Sequence, residues 1–509
     1  MTIKTAEIMI VDTQRAWLAL SLLCFPTAVL ALDFSTLYLA LSHIAVTFNT
    51  TPMEELWILD TSPLMLAGFL IPMGGMCDRW GNRRVLLIGA AFFAALLAIA
   101  SMAPTASALI LVRAALGIAG ATLMPATLGL IRELFQNPEQ RRRAFSVWTA
   151  AYMTGFAIGP IIGGGVLDFF GWRATLLLAV PVMFPLLVVG PMVFPRSKIL
   201  EGQRKYDWIS SILFLAAILP FVHGLQELVR VELKFRTGVC LVWGFIAGGM
   251  FVVRQLKARH PLLDLNLILS NSGLATALLT LLLGPSILSC LTFFVPQYLQ
   301  FTYGLSVVAV GASIALAALG KIIGALISPT LSRKLGSSGA TIGAGFLVMA
   351  VGLVTIAFGV QLGPVWLAVG LVVVYFGCGP LDTLGTDIVV SSAPHGKSAS
   401  AGAAAETAVE LGGGLGIAIF GAIGTAIYQR ILTDRLTSGD MDISVAERAV
   451  NSFSVVMAEA FSLGGSQGAF LQEQASGAFA SGLTTVAGYN FILALLLSIL
   501  TFVFLRKTA

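Results

Sequence analysis

Asp33, Asp60, Arg113, Lys321, Glu406 and Glu410 interrupt long apolar runs. An ionisable side chain at the centre of a bilayer costs ~2.5–3.5 kcal/mol on insertion scales, so it faces a bundle interior or a wet space rather than lipid. A carboxylate held there can carry a proton or balance a cation, but does neither well at once. Glu406 and Glu410 stand one helical turn apart and share a face. Such a pair repels when both members are ionised, which favours proton carriage. At ~1.5 Å per residue they lie ~9 and ~15 Å beyond Ser400, and Lys321 lies ~21 Å beyond Val307. Lys321 either neutralises one of these acids or meets an anionic group. Asp33 lies ~24 Å beyond Trp17 and Arg113 ~8 Å beyond Ala108. Asp60, near the start of its run, is either an interfacial carboxylate or a group at the mouth of a passage. Asp382 and Asp387 approach the end of theirs, and Asp387 reads as a solvated terminus.

The elements that position these groups follow from composition. The chain has 509 residues, 57% hydrophobic and 11% charged, against roughly 25% charged in a soluble protein. Mean hydropathy is +0.92. A soluble fold could not hide that much apolar surface. A net charge of +5 over this length excludes a nucleic-acid binder. Unbroken apolar runs exclude a barrel of alternating strands. An all-α membrane protein remains, with spans of roughly 20 residues. Fourteen are read, the first at Trp17–Leu41 and the last at Thr484–Leu505. They divide as six, two and six: residues 17–194 form one bundle, 195–271 a linker with two extra spans, and 272–509 a second bundle. Residues 1–16 precede the first span. Residues 429–483 are read as one long outer loop, in which Val445–Phe461 is either an amphipathic helix on the membrane or protein, or disordered. The first apolar run carries no cleavage pattern and does not read as a signal peptide.

Most of the 30 lysines and arginines fall on one set of ends and loops, including Arg79, Arg83, Arg84, Arg132, Arg141, Arg142, Arg143, Arg333 and Lys334. By the positive-inside rule this side is cytoplasmic, and an even span number puts both termini there. The five cysteines form no CxxC pair, and the four histidines are scattered. Neither set suggests a metal site or a disulfide framework.

Four stretches carry further signal. Gly75-Met-Cys-Asp78-Arg79-Trp-Gly81-Asn82-Arg83-Arg84 lies between spans 2 and 3. Its glycines allow a tight turn, and Asp78 can accept from a helix N-terminus or from arginines, as a latch that forms in one state only. A solvated positive loop is the plain alternative. Gly155-Phe-Ala-Ile-Gly159-Pro160-Ile-Ile-Gly163-Gly164-Gly165 in span 5 is a small-residue face for close packing, with a proline bend. Leu32-Asp33-Phe-Ser35-Thr36-Leu-Tyr38 lies in span 1, and Arg113-Ala-Ala-Leu-Gly117 in span 4.

Together these stretches resemble the major facilitator superfamily, and within it the fourteen-span drug:proton antiporters that export quaternary-ammonium compounds and methyl viologen. The loop resembles the superfamily signature, the span 5 stretch its antiporter motif, and Glu406 with Glu410-Leu411-Gly412 the acidic helix of the quaternary-ammonium exporters. Trp57 and Gly171-Trp172-Arg173 fit the same family. Two departures stand out. Ala179 sits near the position of an asparagine in relatives, and Lys321 stands where exporters of dicationic compounds place an acid.

The resemblance implies the major facilitator fold in a bacterial cytoplasmic membrane. It implies a proton-coupled antiporter that exports hydrophobic cationic drugs by alternating access, as a monomer, with the proton gradient in place of a cofactor. It makes spans 1 and 4 neighbours, so that Arg113 holds Asp33 ionised until a proton or cargo breaks the pair, unless the pair is a fixed structural one. Asp33, Arg113, Glu406 and Glu410 are the proton-coupling candidates. Asp33, Asp60, Tyr38, Trp57, Lys321, Tyr298, Glu406 and Glu410 are the cargo-binding candidates. Gly75, Asp78, Arg79, Gly81, Arg83, Arg84, Gly155, Gly159, Pro160, Gly163 and Gly164 are the gating candidates. Lys321 subtracts a charge and favours monocations or zwitterions. A dedicated exporter of one metabolite or antibiotic fits the same scaffold. A proton-coupled peptide importer would carry an E-x-x-E-R cluster in span 1, where Asp33 stands alone.

Overall fold

A computed structural model describes residues 13–48, 52–195, 207–230, 235–258, 265–393, 398–437 and 453–505. Within these residues the regular structure is helical. The first bundle comprises α1 (Thr13–Phe48), α2 (Pro52–Trp80), α3 (Asn82–Ser101), α4 (Ala106–Leu134), α5 (Pro138–Phe170), and a sixth span split into α6 (Trp172–Leu177) and α7 (Ala179–Val193). The split has a local cause: Pro181 has no N–H to donate to Leu177, so the helical ladder lapses there. Gly81 joins α2 to α3 at φ 91°, a backbone conformation that glycine adopts without strain.

The two extra spans are α8 (Trp208–Arg230) and α9 (Phe235–Lys257). After the short α10 (Leu265–Ser270), the second bundle comprises α11 (Ser272–Phe301), α12 (Val307–Leu335), α13 (Ser338–Leu362), α14 (Pro364–Pro380), α15 (Thr386–Ser392), α16 (Ser398–Gly416) and α17 (Ala422–Thr437). It closes with α18 (Phe453–Leu463) and α19 (Gly465–Phe504). Single π-helical turns, Leu381–Gly385 and Ile417–Gly421, join α14 to α15 and α16 to α17. Thirteen of these segments are long and apolar enough to cross a membrane. In α8 the apolar part is shorter, Ile209–Phe221.

Each bundle has its own apolar core, one built from Leu20, Leu66, Phe93 and Leu128 among others, the other from Leu281, Phe294, Phe346 and Leu353. A third, small cluster joins Phe214, Ile218 and Phe251 of the α8–α9 hairpin to Ile71 of α2, with Leu411 of α16 packed against it. The hairpin therefore touches both bundles. A partly buried polar knot closes its base: Arg254 and Gln255 both donate to Ser210 Oγ, and Arg254 reaches Asp207 at 2.8 Å.

Among the described residues, the expected outer loop 429–483 is largely helix. α17 runs on to Thr437, and the helix that contains the expected last span begins at Gly465, ahead of Thr484. Leu471, Ala475, Ala478 and Phe479 are buried at helical spacing, so a stretch that reads as polar and alanine-rich still turns one apolar face inward. The described part of the expected amphipathic helix, from Phe453 onward, is helical and runs on to Leu463 as α18 (Phe453–Leu463). It lies on the protein: Phe453, Val456, Met457 and Ala460 are buried in the second core. Residues 445–452 of that expectation, residues 1–12, and the basic stretch before Asp207 lie outside the described residues.

Candidate functional site

The first site lies within the first bundle. Asp33 of α1 and Arg113 of α4 form an ion pair of 2.6 Å, both side chains almost wholly buried. Small residues bring the supporting helices close. A Cβ on Gly117 would lie 2.3 Å from the Ser62 carbonyl of α2. Cβ atoms on Gly155, Gly159 and Gly163 would lie 2.1 Å from the Ala28 carbonyl, 1.9 Å from Ser35 Oγ and 2.5 Å from Thr36 Cγ2. These three glycines recur every four residues, so they form one face of α5 seated on α1 around Asp33. Gly164 belongs to the same motif but meets nothing within 4 Å. Arg113 Nε and Nη2 have no hydrogen-bond partner. Asp33 thus supplies the only hydrogen bond the buried guanidinium makes among the described residues.

The second site lies on the second bundle and faces α5. Lys321 Nζ of α12 contacts Asp382 Oδ2, in the π turn after α14, at 2.5 Å. Close packing sets this contact. A Cβ on Gly379 would lie 2.3 Å from the Ala325 nitrogen, and one on Gly324 2.1 Å from the Phe376 carbonyl. Tyr375 of α14 and Thr292 of α11 share a hydrogen bond of 2.7 Å beside it. The sequence left Lys321 to an acid of the Glu406/Glu410 pair or to an anionic group. Its ion-pair partner is instead Asp382, because α12 packs on α14. Glu406 is buried, and Glu410 is half-buried. Neither has a hydrogen bond or ion pair among the described residues. Both feel the charge of Lys321. Tyr152 of α5, in the opposite bundle, lies within electrostatic reach of Glu410, Glu406 and Asp382.

The third constellation ties the bundles together at their arginine-rich end. Asp78 accepts from the backbone N–H groups of Ala399 and Ser400 at 3.0 Å each, and from Ser400 Oγ. These N–H groups open α16, so a carboxylate caps the positive end of a helix dipole. Arg141 and Arg142 of α5 converge on Asp387 at 2.7 and 3.3 Å. Arg132 of α4 donates to the carbonyls of Val390, Ser391 and Ala393. Glu139 pairs with Arg333 at 2.8 Å, on the surface. Asp387 is therefore not a solvated helix end: it is 3% exposed, covered by two arginines of the other bundle. Gly74 allows the approach. A Cβ there would lie 2.5 Å from Ala403 Cβ and 2.9 Å from the Ala399 carbonyl.

The remaining candidates fall as follows. Gly75 is half-buried in α2, Arg79 and Arg84 are exposed, and Arg83 donates to the Pro191 carbonyl. Trp57 stacks on His223 of α8 at 5.1 Å, so it is covered by the hairpin. Tyr298 is buried among Tyr303 and Phe479 in the second core. The side chains of Tyr38, Asp60 and Pro160 lie outside the described residues. Sequence reasoning missed Gly74, Tyr152 and the partners of Asp387. Arg141 and Arg142 carry a usable signal, since adjacent arginines at a helix start invite an acid.

Two helical bundles, latched at one end and holding ionisable groups at membrane depth, define a multi-pass membrane protein of the transporter type. The chain belongs to the Major Facilitator Superfamily, whose family model matches residues 23–417; it is a transporter and not an enzyme. It is 36% identical over 416 residues to the multidrug efflux pump LfrA of Mycolicibacterium smegmatis, covering 82% of each chain. It is 31% identical to the methyl viologen resistance protein SmvA of Salmonella typhimurium, over 91% of this chain and 93% of that one. The solved structure of the proton:xylose symporter XylE matches with a TM-score of 0.58 at 13% identity, over 95% of each chain, and supports the fold alone.

Proposed function

We propose that this protein exports hydrophobic, cationic small molecules across a bacterial cytoplasmic membrane, in exchange for protons, by alternating access. The observation that carries the reading is the buried Glu406 beside Glu410, two carboxylates without hydrogen-bonding or ionic partners among the described residues. Burying such a group without a partner is costly, and a proton or a cation relieves that cost. One replaces the other, which gives exchange. The relatives LfrA, a multidrug efflux pump, and SmvA, a methyl viologen resistance protein, support outward transport of such compounds. Asp33 with Arg113 serves as a second protonatable site. The arginine-rich end faces the cytoplasm with both termini, and the conformation described is closed on that side. No cofactor beyond the proton gradient enters the scheme, and one chain suffices.

The test is dye efflux in inverted vesicles energised by a pH jump, using ethidium, for wild type, Asp33→Asn and Glu406→Gln. Wild-type transport is expected to stop when an uncoupler collapses the gradient, and each variant to lose most of its rate. Transport that survives the uncoupler overturns proton coupling. An undiminished Glu406→Gln variant removes the carrying residue.

A further inference from the structure

The Lys321–Asp382 contact bears on what the proposed site can hold. Three carboxylates, Asp382, Glu406 and Glu410, and one ammonium, Lys321, belong to the second bundle; Lys321 touches Asp382, and both lie within electrostatic reach of Glu406. The ammonium is not shared evenly. It sits on Asp382 at 2.5 Å, with side-chain exposures of 10% and 15%. The other two acids have no such contact, although Glu406 is only 5% exposed. Asp382 lies in a π-helical turn, a distortion that recurs at functional sites. The turn follows the stretch in which Gly379 seats α14 on α12 at Ala325 and Lys321.

We propose that Asp382 is a third carboxylate of the cargo site, kept occupied by Lys321 as a tethered cation, and that this occupancy limits cargo to one positive charge. The inference rests on the antiport reading above and deepens it. The charge count is direct. Glu406 and Glu410 repel when both are ionised, so the loaded pair keeps one proton and offers one negative charge. Asp382 would offer a second, but Lys321 cancels it. A monocation therefore leaves the loaded site neutral, whereas a dication leaves an uncompensated charge at membrane depth. Removing the ammonium alone raises the capacity to two. Removing Lys321 and the Asp382 charge together restores it to one.

Equilibrium binding to the purified full-length chain in detergent tests this, with tetraphenylphosphonium as monocation and methyl viologen as dication. The wild type is expected to bind tetraphenylphosphonium and to prefer it over methyl viologen by about tenfold or more. Lys321→Met is expected to move the affinity ratio towards methyl viologen by about tenfold, and Lys321→Met/Asp382→Asn to return it to the wild-type value. The exchanged pair Lys321→Asp/Asp382→Lys keeps both charges and should keep the wild-type ratio. Equal wild-type affinity for the two probes overturns the charge limit, whether or not any variant folds. So does a ratio in Lys321→Met that stays within about twofold of wild type, or a gain that persists in the double variant. Wild-type binding of neither probe overturns the cation-export reading together with this inference, whereas equally tight binding of both overturns this inference alone.

Discussion

Arg113 depends on one acceptor. Its guanidinium is wholly buried, it bonds to Asp33 through Nη1, and its other two nitrogens have no partner among the described residues. Removing one member of a buried pair typically costs about 3–5 kcal/mol, because the other charge stays buried without compensation. Asp33→Asn and Arg113→Met should each lower the unfolding temperature of the purified protein. The double variant removes both charges and should recover most of that stability. Its transport should stay lost, since the exchangeable proton site is gone. A double variant as unstable as Asp33→Asn would show that the pair is not the source of the cost. A stable double variant that transports normally would make the pair purely structural. The contact was legible only through the resemblance, which makes spans 1 and 4 neighbours: an acid and a base at membrane depth each need a partner, but Lys321, Glu406 and Glu410 leave the pairing open on charge alone.

At the scale of elements, the α8–α9 hairpin offers a pH test outside the membrane core. Burial pushes the Asp207 carboxyl up, but hydrogen bonds from Arg254 and Ser210, with the Arg254 charge, more than offset this and hold it below the usual carboxylate range. A depressed folded value means that the unfolded chain binds the proton more readily. The stabilisation is then fully present above the unfolded value of about 3.9, and is lost as pH falls through the folded value. Asp207→Asn should therefore unfold at a lower temperature than wild type, with the same gap at pH 7 and at about pH 5, and the gap should close as pH drops below about 3.9. A gap unchanged at low pH would assign the loss to packing rather than to charge. Elements were legible where apolar length alone decides them, as in α3, α11 and α13. They were less so where small residues decide. Residues 465–483 look like a loop because glycine, serine and alanine dilute the apolar face, yet Leu471, Ala475 and Phe479 pack at helical spacing.

For the whole molecule, the question is what holds the two bundles shut at the arginine-rich end. No single-chain pattern reveals this, because the partners are 245 or more residues apart for Asp387 with its arginines, and 321 or more for Asp78 with α16. A span-by-span reading assigns Asp387 to solvent, and only the closure of one bundle on the other buries it. The contacts are not equal. Arg141 and Arg142 hold Asp387 with little exposure, whereas Glu139 is 43% exposed where it meets Arg333. An exposed pair is worth at most about 1 kcal/mol and is screened by salt. Couplings of about 1–3 kcal/mol shift a two-state population by roughly 5- to 150-fold, so the buried contacts should set the equilibrium. Spin labels at Gln136→Cys and Lys334→Cys, both exposed and on opposite bundles, read the opening as a pulsed-resonance distance distribution. Asp387→Asn should move population to a longer distance and Glu139→Gln should not. If Glu139→Gln opens the end as far as Asp387→Asn, surface charge controls closure and the buried latch does not. If neither variant changes the distribution, closure rests on helix contacts such as Gly74 against Ala403. Gly74→Val, which places side-chain atoms where Ala403 now sits, is then the variant expected to open it.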